Sequence, residues 1–279
     1  MEMAGIGENV LHGVSTLGKL EARLETAQLE TALSEASAIS EGIMADHTIR
    51  AFDKNLGELI RKIKDMSEID AKQIKAAIEA LRKHDTTIAR HVIASDDQVD
   101  ALQQDVEQEA ISAIARWQPV GVDLRDIVGA MRISNDLERI GDFAENIAKR
   151  VLLIDNLHIN QVVPHIDHMA QLVLDQLARV IQSYEYRDVD AALDVWRKDQ
   201  EIDALNASLF RELLTYMMES PSNITFCTHL LFCAKNLERS GDHIASIAKT
   251  VYYIVEGRKL SEERPKADIT SKGMLPLPL

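Results

Sequence analysis

The stretch that decides the fold is RISNDLERIGDFAENIAKR, residues Arg132 to Arg150, because it returns as AKNLERSGDHIASIAKT, Ala234 to Thr250. In both copies small and apolar residues recur three or four positions apart, so they line one face of a helix. Gly141 and Gly241 lie on that face, where a missing side chain lets a neighbouring helix come close, at a cost of up to about 1 kcal/mol in helix propensity. The repeat therefore predicts a chain built twice from one helical unit.

The composition of the whole chain agrees with this unit. Its 279 residues are enough for one large or two modest domains, and the duplication favours two. Aromatic residues make up 4% of the chain, and Ala, Leu, Ile and charged residues dominate. Such a composition, with almost no alternation of period two, favours helices over strands. We therefore predict an all-α fold, a tandem repeat of two antiparallel three-helix bundles.

Breaks in the helical periodicity divide the chain. Gln118-Pro119 and Ser220-Pro221 interrupt it because proline disfavours a helical residue before it and is tolerated at the first helical position. The predicted helices cover about 47–84, 86–117, 119–154, 165–186, 189–219 and 223–257. The predicted regions are an N-terminal extension, partly disordered (1–46), a first bundle (47–155), a second bundle (156–257) and a disordered tail (258–279).

Charge and cysteine content limit the function. The formal net charge is −14 and no block of Lys and Arg is present, so binding to nucleic acid or anionic lipid is not expected. Cys227 and Cys233 lie six apart on one predicted helix, about 200° apart in azimuth, which disfavours a disulfide and favours a reducing compartment. No apolar run reaches 18 residues. These features predict a cytoplasmic protein.

Acidic pairs four residues apart become informative only through their positions. The chain has seven such pairs, and roughly seven are expected by chance from its acid content. Four of them form two matching sets, Asp96/Asp100 with Asp199/Asp203 and Glu138/Asp142 with Glu238/Asp242. Each set is repeated at an offset of 103 or 100 residues.

Hairpin geometry brings the matching pairs together. In the first unit both pairs lie roughly 30–33 Å from the turn near residue 118, and the second unit repeats this arrangement. Two unit charges about 6 Å apart repel by about 3 kcal/mol at an effective dielectric near 20, so several carboxylates at one level need compensation. Arg139 and Arg239 follow the glutamates, but a helical step of 100° is expected to place them off this face.

The sharper hypothesis is a cation site, or a small cluster of cations, with oxygen ligands only. Glu145 extends the first site together with Asn135 and Asn146, whereas the second copy has Lys235, Ala245 and Ser246 there, so the second site is expected to be poorer in ligands. The candidate metal ligands are Asp96, Asp100, Glu138, Asp142, Glu145, Asp199, Asp203, Glu238 and Asp242.

These residues resemble those of the PhoU family of phosphate-signalling proteins. LERIGD and LERSGD are similar to its repeated Glu/Asp-x-x-x-Asp metal motif, and the pairs at 96/100 and 199/203 to its partner motifs. Further similar stretches are RWQPVGVDLR (116–125), LTYMMES (214–220) and VYYIVEG (251–257). The resemblance covers about residues 47–257, and the N-terminal extension departs from it.

The resemblance implies a fold, cofactors and partners. The fold is a tandem of three-helix bundles with multinuclear iron or zinc clusters on the acidic motifs; manganese and magnesium also suit such ligands. The implied role is to couple a phosphate ABC importer, through its ATP-binding subunit, to the sensor histidine kinase of the phosphate regulon, and to repress that regulon when phosphate is abundant. These partners would bring the protein to the inner membrane. A homodimer is left as an open alternative.

Two other functional classes remain as alternatives. A metal-free helical adaptor would keep every helix and lose only the acidic sites. A carboxylate-bridged di-metal enzyme needs Glu-x-x-His pairs, and none of the nine histidines follows a Glu at that spacing. No phosphate-binding GxxxxGK[ST] loop is present either. The sequence therefore favours a regulator over an enzyme.

Overall fold

The computed structural model describes residues 51–154 and 162–261, and within these ranges the regular structure is helical without a strand. The predicted all-α class, with two antiparallel three-helix bundles in tandem, is confirmed. The first bundle contains α1 (residues 51–83), α2 (Thr86–Ser95), α3 (Asp97–Trp117) and α4 (Val122–Val151). The second contains α5 (Val163–Tyr186), α6 (Val189–Glu219), a 3₁₀ turn (Pro221–Asn223) and α7 (Ile224–Glu256).

The helices end where the sequence supplies capping residues. Asp85 caps α2, since its side chain accepts a hydrogen bond from the Thr87 amide at 2.8 Å. Gln118 closes α3 with a left-handed backbone, φ 47°, directly before Pro119. Gly257 does the same after α7, with φ 72°. The predicted breaks at both proline positions are thus present in the structure.

The predicted single helix over 86–117 is wrong in one place, because Asp96 forms a turn between α2 and α3. The Ser95 hydroxyl donates a hydrogen bond to the Val92 carbonyl at 2.8 Å, and the Val99 amide donates to the Asp96 carbonyl at 2.9 Å. A side-chain hydroxyl that bonds the backbone competes with the regular helical ladder. The turn between α2 and α3 thus contains Asp96, one of the candidate metal ligands.

Helices α4 and α7 pack antiparallel against each other and join the two bundles. Their close contact is visible at Gly129, where an added Cβ would lie 2.6 Å from Ile254 Cγ1. Further along, Arg132 stacks over the Tyr253 ring at 5.3 Å, and His243 Nδ1 lies 2.8 Å from Asp136 Oδ1. These two helices carry the repeated acidic motif, so both candidate sites flank the central interface.

Several predicted segments lie outside the described residues: the N-terminal extension 1–46, most of the boundary at 155–164, and the tail from 262 onward. Among the helices that are described, none combines the length and apolar character needed to cross a bilayer.

Candidate metal centre

The first acidic cluster forms where the α2–α3 turn meets α4. One carboxylate oxygen from each of Asp96, Asp142 and Glu145 lies within 4.8 Å of the others. Asp100 and Glu138 are close enough to raise the pKa values of neighbouring acids. The structure therefore brings all five acids predicted for the first bundle to one place.

Gly141 forms the inner wall of this cluster. A Cβ built on Gly141 would lie 3.2 Å from Asp70 Oδ1, 3.3 Å from Asp96 Oδ1 and 3.4 Å from Gln73 Oε1. The absent side chain thus leaves space on which three oxygen atoms converge. Asp70 and Gln73 come from α1, and neither is among the predicted ligands.

The α1 residues of the cluster are buried and short of hydrogen-bond donors. Asp70 is 0% exposed, and neither of its carboxylate oxygens accepts a hydrogen bond from any described residue. The buried Gln73 Oε1 also lacks a donor among those residues. The Gln73 amide nitrogen donates to Ser95 Oγ at 3.2 Å, which directs Oε1 away from that serine. Buried acceptors without a donor are uncommon and costly, so this part of the site calls for a ligand.

The electrostatics of the first cluster are those of crowded carboxylates. Burial, followed by the charges of Asp96 and Glu138, raises the pKa of Asp70 well above its ordinary value. Burial and the neighbouring acids, Glu145 first, raise the pKa of Asp96 to about 6. The pKa of Glu138 is raised by burial and by Asp142. Each shift shows that burial and neighbouring carboxylates disfavour the anionic form of these acids.

Two basic side chains partly neutralise the outer rim. Arg139 Nη1 lies 2.8 Å from Asp142 and its Nε 3.3 Å from Glu138, so the expectation that Arg139 points off this face is wrong. Its flexible side chain reaches back across one helical turn. Lys149 pairs with Glu145 in the same way. Both basic residues are about half exposed, and neither contacts Asp70 or Asp96.

The second cluster repeats this framework with fewer acids. Asp199 and Asp203 of α6 are buried, and Asp242 and Asp203 both act to raise the pKa of Glu238. A Cβ on Gly241 would lie 2.5 Å from Asp199 Oδ1 and 3.1 Å from Ile202 Cδ1. The four acids predicted for the second bundle therefore also meet.

The second cluster has a lysine at a position where the first has none. Lys235 Nζ lies 2.6 Å from Glu238, whose side chain is 7% exposed. Burial raises the pKa of Glu238, and the hydrogen bond from Lys235 partly opposes that rise. Asn135 is the corresponding residue in the first bundle. The lysine predicted to weaken this site thus contacts one of its acids.

Of the acidic pairs outside the matching sets, the two that lie in the described residues contact basic side chains of other helices. Lys62 of α1 lies 2.7 Å from Glu109 and 3.5 Å from Asp105. Arg179 of α5 lies 2.6 Å from Asp194. These ion pairs contrast with Asp70 and Asp96, which no basic side chain of the described chain contacts.

Residues beside the two clusters contact each other at the α4–α7 interface. Arg239, next to Glu238, stacks over the ring of Phe143 at 4.5 Å, and Phe143 follows Asp142 in α4. The ring of His243, next to Asp242, lies 5.5 Å from the same Phe143 ring. Arg239 and His243 of α7 therefore both contact the Phe143 ring in the motif region of α4.

The fold and site together define a class of protein: a duplicated helical bundle that carries one inter-helical carboxylate cluster in each half. The PhoU domain family matches the chain twice, over residues 63–151 and 166–251, which are the two bundles. The chain therefore belongs to the PhoU family.

Individual relatives support the same family assignment. The phosphate-specific transport system accessory protein PhoU homolog of Rhizobium meliloti (strain 1021) is 45% identical over 226 residues, covering 81% of this chain and 95% of the relative. The protein of the same description from Caulobacter vibrioides (strain NA1000 / CB15N) is 40% identical over 82% of this chain and 100% of its own length. The crystal structure of PhoU from Pseudomonas aeruginosa matches with a TM-score of 0.71 and 30% identity, covering 74% of this chain and 100% of that one.

Proposed function

We propose that this protein is an accessory regulator of phosphate transport that binds metal ions at its acidic clusters. The relatives' names support the first part, since they describe accessory proteins of a phosphate-specific transport system. The structure of a Streptococcus pneumoniae relative, at 27% identity and a TM-score of 0.70, is described as a phosphate transport system regulatory protein. These descriptions favour a regulatory role over an enzymatic one.

Metal binding is supported by one observation above the others, the convergence of Asp96, Asp142 and Glu145 within 4.8 Å around a glycine. The donor set suits a hard cation because all the converging atoms are oxygens. Asp96, Asp100, Glu138, Asp142 and Glu145 would hold the ions of the first site. Bound cations would remove the repulsion that raises the pKa values of these acids.

In the second bundle, Asp199, Asp203, Glu238 and Asp242 would hold a smaller metal load. Iron, zinc, manganese and magnesium are the candidate ions. Helices α4 and α7 contact each other beside both clusters. A change in the metal ions bound by one bundle would therefore alter the packing of α4 against α7, and with it the other bundle.

The metal proposal is tested by elemental analysis of the full chain purified without chelator. The test variant is Glu138→Ala with Asp142→Ala, and the matched control is Asp190→Ala with Asp194→Ala, another acidic pair four apart. We expect the test variant to lose most of the metal of the first bundle and the control to retain it. An unchanged metal content in the test variant would remove the proposed site.

The proposed partners are the ATP-binding subunit of the phosphate ABC importer and the sensor histidine kinase of the phosphate regulon. Through them the protein would repress that regulon when phosphate is abundant. Deletion of the gene should raise alkaline phosphatase activity in phosphate-rich medium, and the wild-type gene should restore repression. Repression that persists without the gene contradicts the proposal. A pull-down with the full chain as bait tests the two partners and a homodimer together.

A further inference from the structure

Asp70 occupies a position that should be apolar. It lies on the buried face of α1, on which the flanking residues at helical spacing are Leu59, Ile63, Met66, Ile74 and Ala77. A carboxylate in such a place costs several kcal/mol unless it is paired or binds a cation. No basic side chain or hydrogen-bond donor of the described chain meets it.

The surroundings of Asp70 are acceptors rather than donors. Asp70 Oδ1, Asp96 Oδ1 and Gln73 Oε1 converge on the space left by Gly141. The Gln73 amide is held in this orientation because the Ser95 hydroxyl already donates to the Val92 carbonyl and so accepts from the Gln73 nitrogen. Three oxygens from three different side chains thus face one point.

We propose that Asp70 is an inner metal ligand that, with Gln73 and Asp96, holds a cation between α1, the α2–α3 turn and Gly141. This inference rests on the proposed metal binding and adds a third helix to the ligands of the first bundle. A proton on Asp70 is the simplest rival. One proton makes one hydrogen bond and leaves the other acceptors unsatisfied, whereas one cation is shared by all three oxygens.

The internal repeat indicates that this ligand exists only once. The offset of 103 that relates Asp96 to Asp199 carries Gln73 to Gln176 and Asp70 to Val173. Gln176 and Val173 are buried in α5, so the scaffold is repeated while the carboxylate is not. We therefore infer that the first bundle binds its cations more tightly than the second.

The test compares Mn²⁺ binding by the full chain, after treatment with chelator, in the wild type and in Asp70→Val and Asp70→Asn variants. Asp70→Val installs the residue of the second bundle, and Asp70→Asn keeps the size of the side chain if valine impairs folding. Asp97→Asn, a neighbouring exposed acid of α3, is the matched control. Bound Mn²⁺ is counted by electron paramagnetic resonance, and the unfolding temperature is measured with and without Mn²⁺.

We expect both Asp70 variants to lose at least about tenfold in Mn²⁺ affinity at the tightest site, as loss of a supporting group does in other metal sites. Asp70→Val should also unfold at a higher temperature than the wild type in chelator, and gain less from Mn²⁺. Unchanged Mn²⁺ affinity in both Asp70 variants overturns the assignment of Asp70 and leaves the proposed function standing. A wild-type protein that binds neither Mn²⁺ nor any of Fe²⁺, Zn²⁺ and Mg²⁺ in the same titration overturns both.

Discussion

The two acidic clusters use matching helices and reach electrostatic balance by different means. The second cluster has four acids, and Lys235 supplies an ammonium group 2.6 Å from Glu238. The first has Asn135 at that position and adds Glu145 and the buried Asp70. Its basic neighbours, Arg139 and Lys149, are about half exposed, as Lys235 is in the second cluster.

The two copies therefore keep the same helices while the number of charged side chains in the acidic cluster differs. Val173 and Ala245 replace two acids of the first bundle without changing the helices that carry them. In the second half Lys235 contacts Glu238, a buried motif acid of α7. In the first half no basic side chain of the described residues contacts Asp70 or Asp96. Exchange of these residues between the two bundles tests how each cluster is compensated.

The largest effect is expected when the buried acid of the first bundle is introduced into the second. Val173 is 0% exposed, and Val173→Asp would bury a carboxylate without a partner, at a cost of about 3–5 kcal/mol. Thermal unfolding in chelator should show this loss. Mn²⁺ should restore part of it if the new carboxylate faces Gly241 as Asp70 faces Gly141. A destabilised variant that Mn²⁺ does not help would mean that the repeat fails at this position.

The sequence could predict the acid pairs because their spacing and their distance from each turn are encoded locally. It could not predict Asp70 from pairing, because Asp70 has no acid four residues away and no acidic counterpart in the second copy. One signal was present. The apolar stripe of α1 stops at Met66 and resumes at Ile74, and Asp70 lies on the buried face within that interval. An acidic residue within a gap of this kind indicates a binding site.

Two other features depend on tertiary structure. Gln73 contributes through the orientation of its amide, which is set by a hydrogen bond to Ser95 across two helices. The turn at Asp96 falls within a stretch of ordinary helix formers, where neither proline nor glycine marks it. By contrast the ends of α3 and α6 are marked by proline, and the prediction placed them correctly.

A smaller effect is expected from filling the two glycine positions. A Cβ at Gly241 would meet Asp199 Oδ1 at 2.5 Å, so Gly241→Ala requires a shift in a buried region and should cost about 1–3 kcal/mol, partly offset by better helix propensity. At Gly141 the nearest oxygens are 3.2–3.4 Å away, so Gly141→Ala should change stability little and weaken Mn²⁺ binding instead. Urea unfolding and Mn²⁺ titration of both variants measure the two effects. Equal losses of stability would contradict the difference in packing.

Removal of the Lys235 ammonium group should strengthen the second site. Lys235→Asn installs the residue of the first bundle and leaves Glu238 without its partner. One unit charge about 6 Å from a bound cation is worth about 3 kcal/mol at a dielectric near 20, and the exposure of Lys235 reduces this. We expect about a tenfold gain in Mn²⁺ affinity. The titration is made in the Glu138→Ala, Asp142→Ala background, so that the measured Mn²⁺ binding comes from the second bundle. An unchanged Mn²⁺ affinity would show that Lys235 does not compete with the metal.

The smallest effect is a pH dependence that belongs to the first cluster. Burial and the neighbouring acids raise the pKa of Asp96 to about 6 in the folded protein, whereas an unfolded aspartate titrates near 3.8. The folded state then holds this proton more tightly, so the stability that protonation supplies is lost as pH rises from about 4 through 6. The metal-free protein should therefore gain stability on a shift from pH 7 to pH 5, while Mn²⁺ binding weakens because protons compete for the same oxygens.

The contribution of Asp96 itself is isolated by comparing Asp96→Asn with Asp97→Asn, which removes an exposed charge one residue away. Solvent screening at the half-buried Asp96 limits the effect to about 1 kcal/mol, or about 2–4 °C in unfolding temperature for a protein of this size. Asp96→Asn should flatten the pH profile of the chelated protein, and Asp97→Asn should leave it as in the wild type. Equal flattening in both variants would assign the pH dependence to the overall negative charge of the chain rather than to the crowding of carboxylates in the first cluster.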